Sequence, residues 1–174
     1  QQEVQYQYQV NAADPGLVVT FTFAPVPAEE EAVAIDETAF PDGAFRQYVK
    51  NTLDRNGDGL LQISEQEDVT ELNLSGLGIA DLTGLSCFPN LTGLDCSDNA
   101  LARLPELPAG LLSLNCSGNA GMSQPNLSAL PQLTELRCRR MQWTMLNVSG
   151  LPELLLLDCG ENALTTLSLQ KNTK

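Results

Sequence analysis

Histidine is absent from this chain of 174 residues, and that one absence removes a large share of enzyme chemistry. Without an imidazole there is no Ser-His-Asp or Cys-His relay and no histidine-held metal. No glycine-rich loop opens a helix to cradle a phosphate. Positive charge is scarce as well: 9 Lys and Arg stand against 22 Asp and Glu, for a formal net charge of −13. Such a chain repels nucleic acid and anionic membrane surfaces, while divalent cations and basic partners remain open to it. No apolar run approaches the ~18 residues of a membrane-spanning helix, so no helical insertion into a bilayer is expected. Acidic pairs do occur, Asp95 with Asp98 and Asp158 with Glu161. They fall where strand faces meet solvent, so catalysis is not expected. The chain begins with Gln1 rather than Met, from which a targeting segment is expected to have been removed, in the cell or in cloning.

What is present is a phrase repeated five times between Val69 and Leu164: VTELNL, LTGLDCSDNAL, LLSLNCSGNAGM, LTELRCRRMQW and LLLLDCGENAL. The apolar pairs Leu72/Leu74, Leu94/Cys96, Leu114/Cys116, Leu136/Cys138 and Leu157/Cys159 follow one another at steps of 22, 20, 22 and 21 residues. Side chains of an extended segment alternate faces, so each phrase reads as one short strand with that pair turned inward. A single such strand cannot bury its apolar side. About twenty residues suffice, however, to run along a strand, cross back and begin the next one beside it. Parallel strands in register then stack equivalent residues into ladders. Asn99, Asn119 and Asn162 fall at the following turn, where an amide can satisfy backbone groups leaving the sheet. Leu77 and Met141 take that position in the first and fourth phrases and should interrupt the asparagine ladder. Period and template L-x-x-L-x-L/C-x-x-N-x-L resemble the leucine-rich repeat. That resemblance implies an α/β solenoid: a right-handed superhelix with a parallel β-sheet on its concave face.

Five cysteines are an odd number for disulfides. Cys96, Cys116, Cys138 and Cys159 occupy one inward ladder, where a thiol acts as a small buried hydrophobe. With no histidine to share a metal or activate sulfur, free buried thiols are expected. Cys87 reads as part of the first crossover.

Residues 1–35 differ from the rest. Tyr6, Tyr8 and Val10 alternate with glutamine, Asp14-Pro15-Gly16 supplies a turn, and Leu17 to Phe23 reads as a second strand. A β-hairpin extension followed by an acidic linker is expected there. Over 36–68, Phe45, Tyr48, Val49 and Leu53 recur at helical spacing after Asp42, a natural helix cap. A twelve-residue loop follows. Asp54, Asn56 and Asp58 stand at its positions 1, 3 and 5, Gly59 at 6, the Leu60 carbonyl at 7, Gln62 at 9 and Glu65 at 12. This is the EF-hand template, which offers Ca2+ its hard oxygen ligands on a flexible loop.

The run Ile35 to Val49, with Phe40-Pro41-Asp42, Phe45-Arg46 and Tyr48-Val49, then the D-x-N-x-D-G loop, then the repeats, resembles surface or secreted repeat proteins of bacteria living with animal hosts. The resemblance to the internalin family implies that 36–68 is an EF-hand-like helical cap on a repeat domain over 69–174, in an extracellular or cell-surface protein. It also makes the Asn-x-Ser/Thr triplets by-products of the repeat. The outward strand residues form the binding surface expected of such a protein, with Asp95, Asn115, Glu135, Arg137, Arg139, Arg140 and Asp158 as candidate contacts. Arg137, Arg139 and Arg140 draw notice because arginine is enriched at interface hot spots. They would alternatively pair with Glu135 and Asp158, and Trp143 would fill the core slot of Leu101 and Leu164. Two functions are expected: a non-enzymatic binding module for a protein or glycan with a structural calcium site, or a spacer whose concave face binds nothing. After Asn162 no polar capping unit follows, so Leu157, Leu164, Leu167 and Leu169 mark either a truncated array or a face for self-association.

Overall fold

A computed structural model describes residues 32–170 and Asn172. The hairpin expected over 1–27 and most of the acidic linker lie outside the described residues. The first described element, β1 (Val33–Ala34), pairs antiparallel with β2 (Leu60–Leu61). Residues 33–35 therefore belong with the cap that the sequence had placed from residue 36.

Between those strands runs the expected helix. Asp42 caps it by accepting the amides of Ala44 and Phe45, each at 2.9 Å, and α1 (Gly43–Tyr48) continues as a wider π-helical turn over Val49–Leu53. Phe40 and Phe45, both fully buried, meet edge to face with centroids 5.6 Å apart. After the loop, α2 (Ile63–Glu67) leads to Val69 and the first repeat. Gly84, in the first crossover, lies so close to the cap that a Cβ there would come within 2.5 Å of the Phe40 ring. Its φ of +102° also suits glycine alone. Cap and solenoid thereby share one continuous core.

The solenoid is a five-stranded parallel sheet of β3 (Glu71–Asn73), β4 (Gly93–Asp95), β5 (Ser113–Asn115), β6 (Glu135–Arg137) and β8 (Leu156–Asp158). Its register is the one the repeat spacing dictates: Leu72, Leu94, Leu114, Leu136 and Leu157 stand side by side. Behind them come Leu74 and the cysteines. A further inward row holds Ile79, Leu101, Met122 and Trp143, all buried. Trp143 takes the core slot, and its indole N–H donates to the Met122 carbonyl at 2.7 Å. Short 3-10 turns at Leu85–Cys87 and Leu127–Ala129 form parts of the return path. A second sheet was not expected. β7 (Met145–Asn147) and β9 (Thr166–Ser168) pair in parallel on the return side of the last two turns, where the alternating Leu146 and Val148 are buried.

Candidate functional site

Two places concentrate polar chemistry. The first is the cap loop, where Asp54 and Glu65 are buried carboxylates, 8% and 6% exposed. Asp54 Oδ1 accepts the Gly57 amide at 2.8 Å and Oδ2 the Gly59 amide at 3.0 Å. Glu65 Oε1 accepts the Arg55 amide at 2.8 Å and Oε2 the Gln62 amide at 2.9 Å. The loop's first and last acids are thus fixed by its own backbone. Between them Asp58 Oδ1 accepts the Leu60 amide at 2.8 Å, while Oδ2 accepts from Asn56 Nδ2 at 2.9 Å and Gln62 Nε2 at 3.0 Å. The Leu60 amide, with smaller help from Asn56 and Gln62 against partial desolvation, holds the Asp58 carboxyl below its ordinary value. Asp54, Asn56, Asp58, Gln62 and Glu65 are consequently all engaged within the loop. Among the described residues no three His, Cys, Asp or Glu side chains group closely enough to enclose a metal. The donors nonetheless fit a hard cation in kind: every side chain that would ligate offers oxygen, and a carboxylate oxygen that accepts one N–H keeps a lone pair.

The second place is the outward row of the strands. Glu71 and Asn73 are exposed, and Gly93, Asp95, Ser113, Asn115, Glu135, Arg137 and Asp158 half-buried. Asp95 is bound by neutral donors: the Ser97 amide at 2.9 Å, the Ser97 hydroxyl at 2.5 Å and Asn115 Nδ2 at 2.9 Å. The arginine phrase is internally paired. Arg137 pairs with Glu135 on its own strand, and Arg139 reaches Asp158 at 3.1 Å and also Glu161. Those two carboxylates, Glu161 first, raise the Arg139 guanidinium above its ordinary value.

Arg140 sits apart from this row. It occupies the turn after β6 with φ of +56° and pairs with Asp98 at 2.8 Å, two turns back. They meet across Gly118, where a Cβ would stand 2.2 Å from the Asp98 carboxylate.

That turn position carries a signal the sequence reading missed. Gly76, Asp98, Gly118, Arg140 and Glu161 all precede the asparagine position and all have positive φ. A second residue joins them in three of the turns, Gly78 in the first, Gly121 in the third and Gln142 in the fourth.

All five cysteines are free thiols. Desolvation, with a smaller push from Asp95, raises the Cys96 thiol to about 12. Burial also pushes up Cys116 and Cys138, each helped by its neighbour in the row. The fully buried sulfurs of Cys96, Cys116 and Cys138 thus serve as packing groups of the core.

No protein-family model matches the sequence, and no curated protein does. Solved structures do. The functional domain of InlJ from Listeria monocytogenes, described as including a cysteine ladder, superposes with a TM-score of 0.73 at 28% identity. That match covers 82% of this chain and 32% of that one. The internalin InlF from the same organism shares the fold at a TM-score of 0.61 and 18% identity, over 81% of this chain and 46% of that one. The present chain therefore spans less than half the length of either.

Proposed function

Since this chain is an internalin-like leucine-rich-repeat protein of bacterial type, we propose that it is a non-enzymatic module that binds another protein on its concave sheet, outside the cell or at its surface. The observation that carries this is the outward strand row. The inward rows of every turn are committed to core packing, whereas Glu71, Asn73, Asp95, Ser113 and Asn115 face solvent with polar groups on a frame of hydrogen-bonded strands. A rigid, open polar face on such a frame is suited to recognition. The test is capture of animal-cell surface proteins by the immobilised chain, with a glycan array in parallel. Asn115→Arg, in the centre of the row, should abolish capture that Ser128→Arg, on the return side, retains. Binding to the array alone would substitute a sugar for the protein. No binding in either format would leave a spacer.

We further propose that Ca2+ is held in the cap by Asp54, Asn56, Asp58, the Leu60 carbonyl, Gln62 and Glu65. A bound ion would neutralise Asp54, Asp58 and Glu65, none of which has an ion-pair partner among the described residues, since Arg55 of the same loop pairs with Asp68. Gly57 and Gly59, at φ of +71° and +81°, give the loop its tight path. An ion that binds only the folded state adds about 2.7 kcal/mol of stability at a hundredfold excess over Kd. Calcium should therefore raise Tm over that in chelator, and Asp54→Ala should remove the difference. The same Tm with calcium and with chelator would eliminate the site.

A further inference from the structure

The charges of the concave row are unevenly settled. On β6 and β8 the acids and bases cancel: Glu135 with Arg137, Asp158 with Arg139. On β3 to β5 there is no such cancellation. Asp95 is bound by neutral donors alone, and the exposed Glu71 carboxylate has neither hydrogen bond nor ion pair among the described residues.

Shape follows the same division. Glu71, Gly93 and Ser113 stand side by side in register, so two small residues leave a hollow beside an acid, bounded further along by Asp95, Asn115 and Arg137. Gly93 is not needed for its backbone, because its φ is not positive. A Cβ there would press to 3.2 Å from Glu71 Cγ, so its absence makes room for the Glu71 stem, which leans over Gly93 and brings its carboxylate to the hollow. Glu71 and Asp95 lie on adjacent strands two residues out of step. One strand spacing of ~4.8 Å and two residue rises put them about 8 Å apart along the diagonal, a gap that one guanidinium or ammonium group can bridge.

We propose that this hollow receives a basic side chain of the protein partner, a lysine or arginine lying over Gly93 between Glu71 and Asp95. The inference rests on the concave face being a protein-binding surface, and it specifies which end docks and with what chemistry. Arg137, which also lines the hollow, pairs with Glu135 on its own strand, so its charge is matched there and not by Glu71 or Asp95. An acidic ligand would meet two uncompensated carboxylates there. The net charge of −13 draws basic segments in from solution and speeds their encounter.

The test uses the whole chain and a fluorescein-labelled peptide carrying arginines spaced by Gly-Ser, followed by anisotropy at physiological salt, with glutamine and glutamate peptides as controls. The arginine peptide should bind and the controls should not. Glu71→Gln with Asp95→Asn should weaken binding at least tenfold, and Gly93→Val should do the same by filling the hollow. Glu67→Gln with Glu106→Gln, which removes two charges elsewhere, should leave binding within twofold. Equal losses in the two double variants would mean bulk charge alone and would overturn the inference, as would undiminished binding in the first. Competition by millimolar calcium that persists in the remote variant would make the hollow a cation site instead and overturn the inference. With a captured partner in hand, the two levels separate. Sensitivity to Asn115→Arg with indifference to the Glu71/Asp95 variant overturns this inference alone. Indifference to both overturns the concave reading beneath it.

Discussion

Asparagine does the most per residue in this solenoid. Asn119, 1% exposed, donates through Nδ2 to the carbonyls of Cys96 and Cys116 at 3.0 and 2.9 Å, and its Oδ1 accepts the Leu101 amide at 3.0 Å. The sequence showed that an amide belongs at this turn. It did not show that the amide reaches back to the preceding turn, because the partner lies about twenty residues away. The same relation explains the gap at Met141. With no asparagine after it, Met122 bonds its amide to its own turn, at the Asn119 carbonyl. Asn119→Ala should cost about 3 kcal/mol, since it strands several buried backbone groups at once, and urea midpoints would measure it. Cysteine gives a second expectation at this scale. Thiols raised by burial hold almost no thiolate near pH 8, so a thiol reagent should label the native chain slowly and the denatured chain fast. Half-buried Cys87 and Cys159 should lead. Blocked thiols in denaturant without reductant would show that disulfides form after all.

At the scale of elements the cap was the more legible part. Asp42 ahead of an apolar helical spacing marked α1 correctly. What sequence could not reveal is the other end of the same carboxylate, whose Oδ2 accepts the amides of Ala80 at 2.8 Å and Asp81 at 3.3 Å in the first crossover. Nothing local predicts a contact across that separation. One residue thus caps a helix and pins it to the first repeat. Burial alone would raise the Asp42 carboxyl, but four backbone amides outweigh it and hold the group below its ordinary 3.8. Its stabilising effect is therefore complete above that value and fades as pH falls through the lower folded-state value. Asp42→Asn should destabilise the fold at pH 7, with the gap to the parent closing below about pH 4 in acid titrations followed by circular dichroism. The pair β7 and β9 escaped the sequence for a different reason. Three residues of alternation inside a crossover give too short a period to separate from the packing of any loop over a core.

For the molecule as a whole, the apolar side chains of the last turns raise the question of association. Of the four leucines expected to form such a face, Leu167 and Leu169 are exposed, whereas Leu157 and Leu164 are half-buried against the core; Leu155 and Leu156 are exposed as well. As a contact between copies, this face predicts concentration-dependent self-association, read by sedimentation, which Leu167→Glu should shift toward monomer. A monomer at high concentration, indifferent to that change, would rule the face out as a contact between copies. The two-sided pairing of the final turns has a mechanical consequence. Where strands bond on one wall only, that wall keeps a spacing of ~4.8 Å while the bulkier return path spreads wider, and the stack arcs. Where β7 and β9 also bond, the return side of those two turns is held to the same strand spacing as the sheet, which resists curvature there. The early turns, bonded on the sheet side alone, are therefore the part left free to curve, and a flatter, stiffer stretch is expected beyond them. The hollow beside Gly93 lies among those early turns.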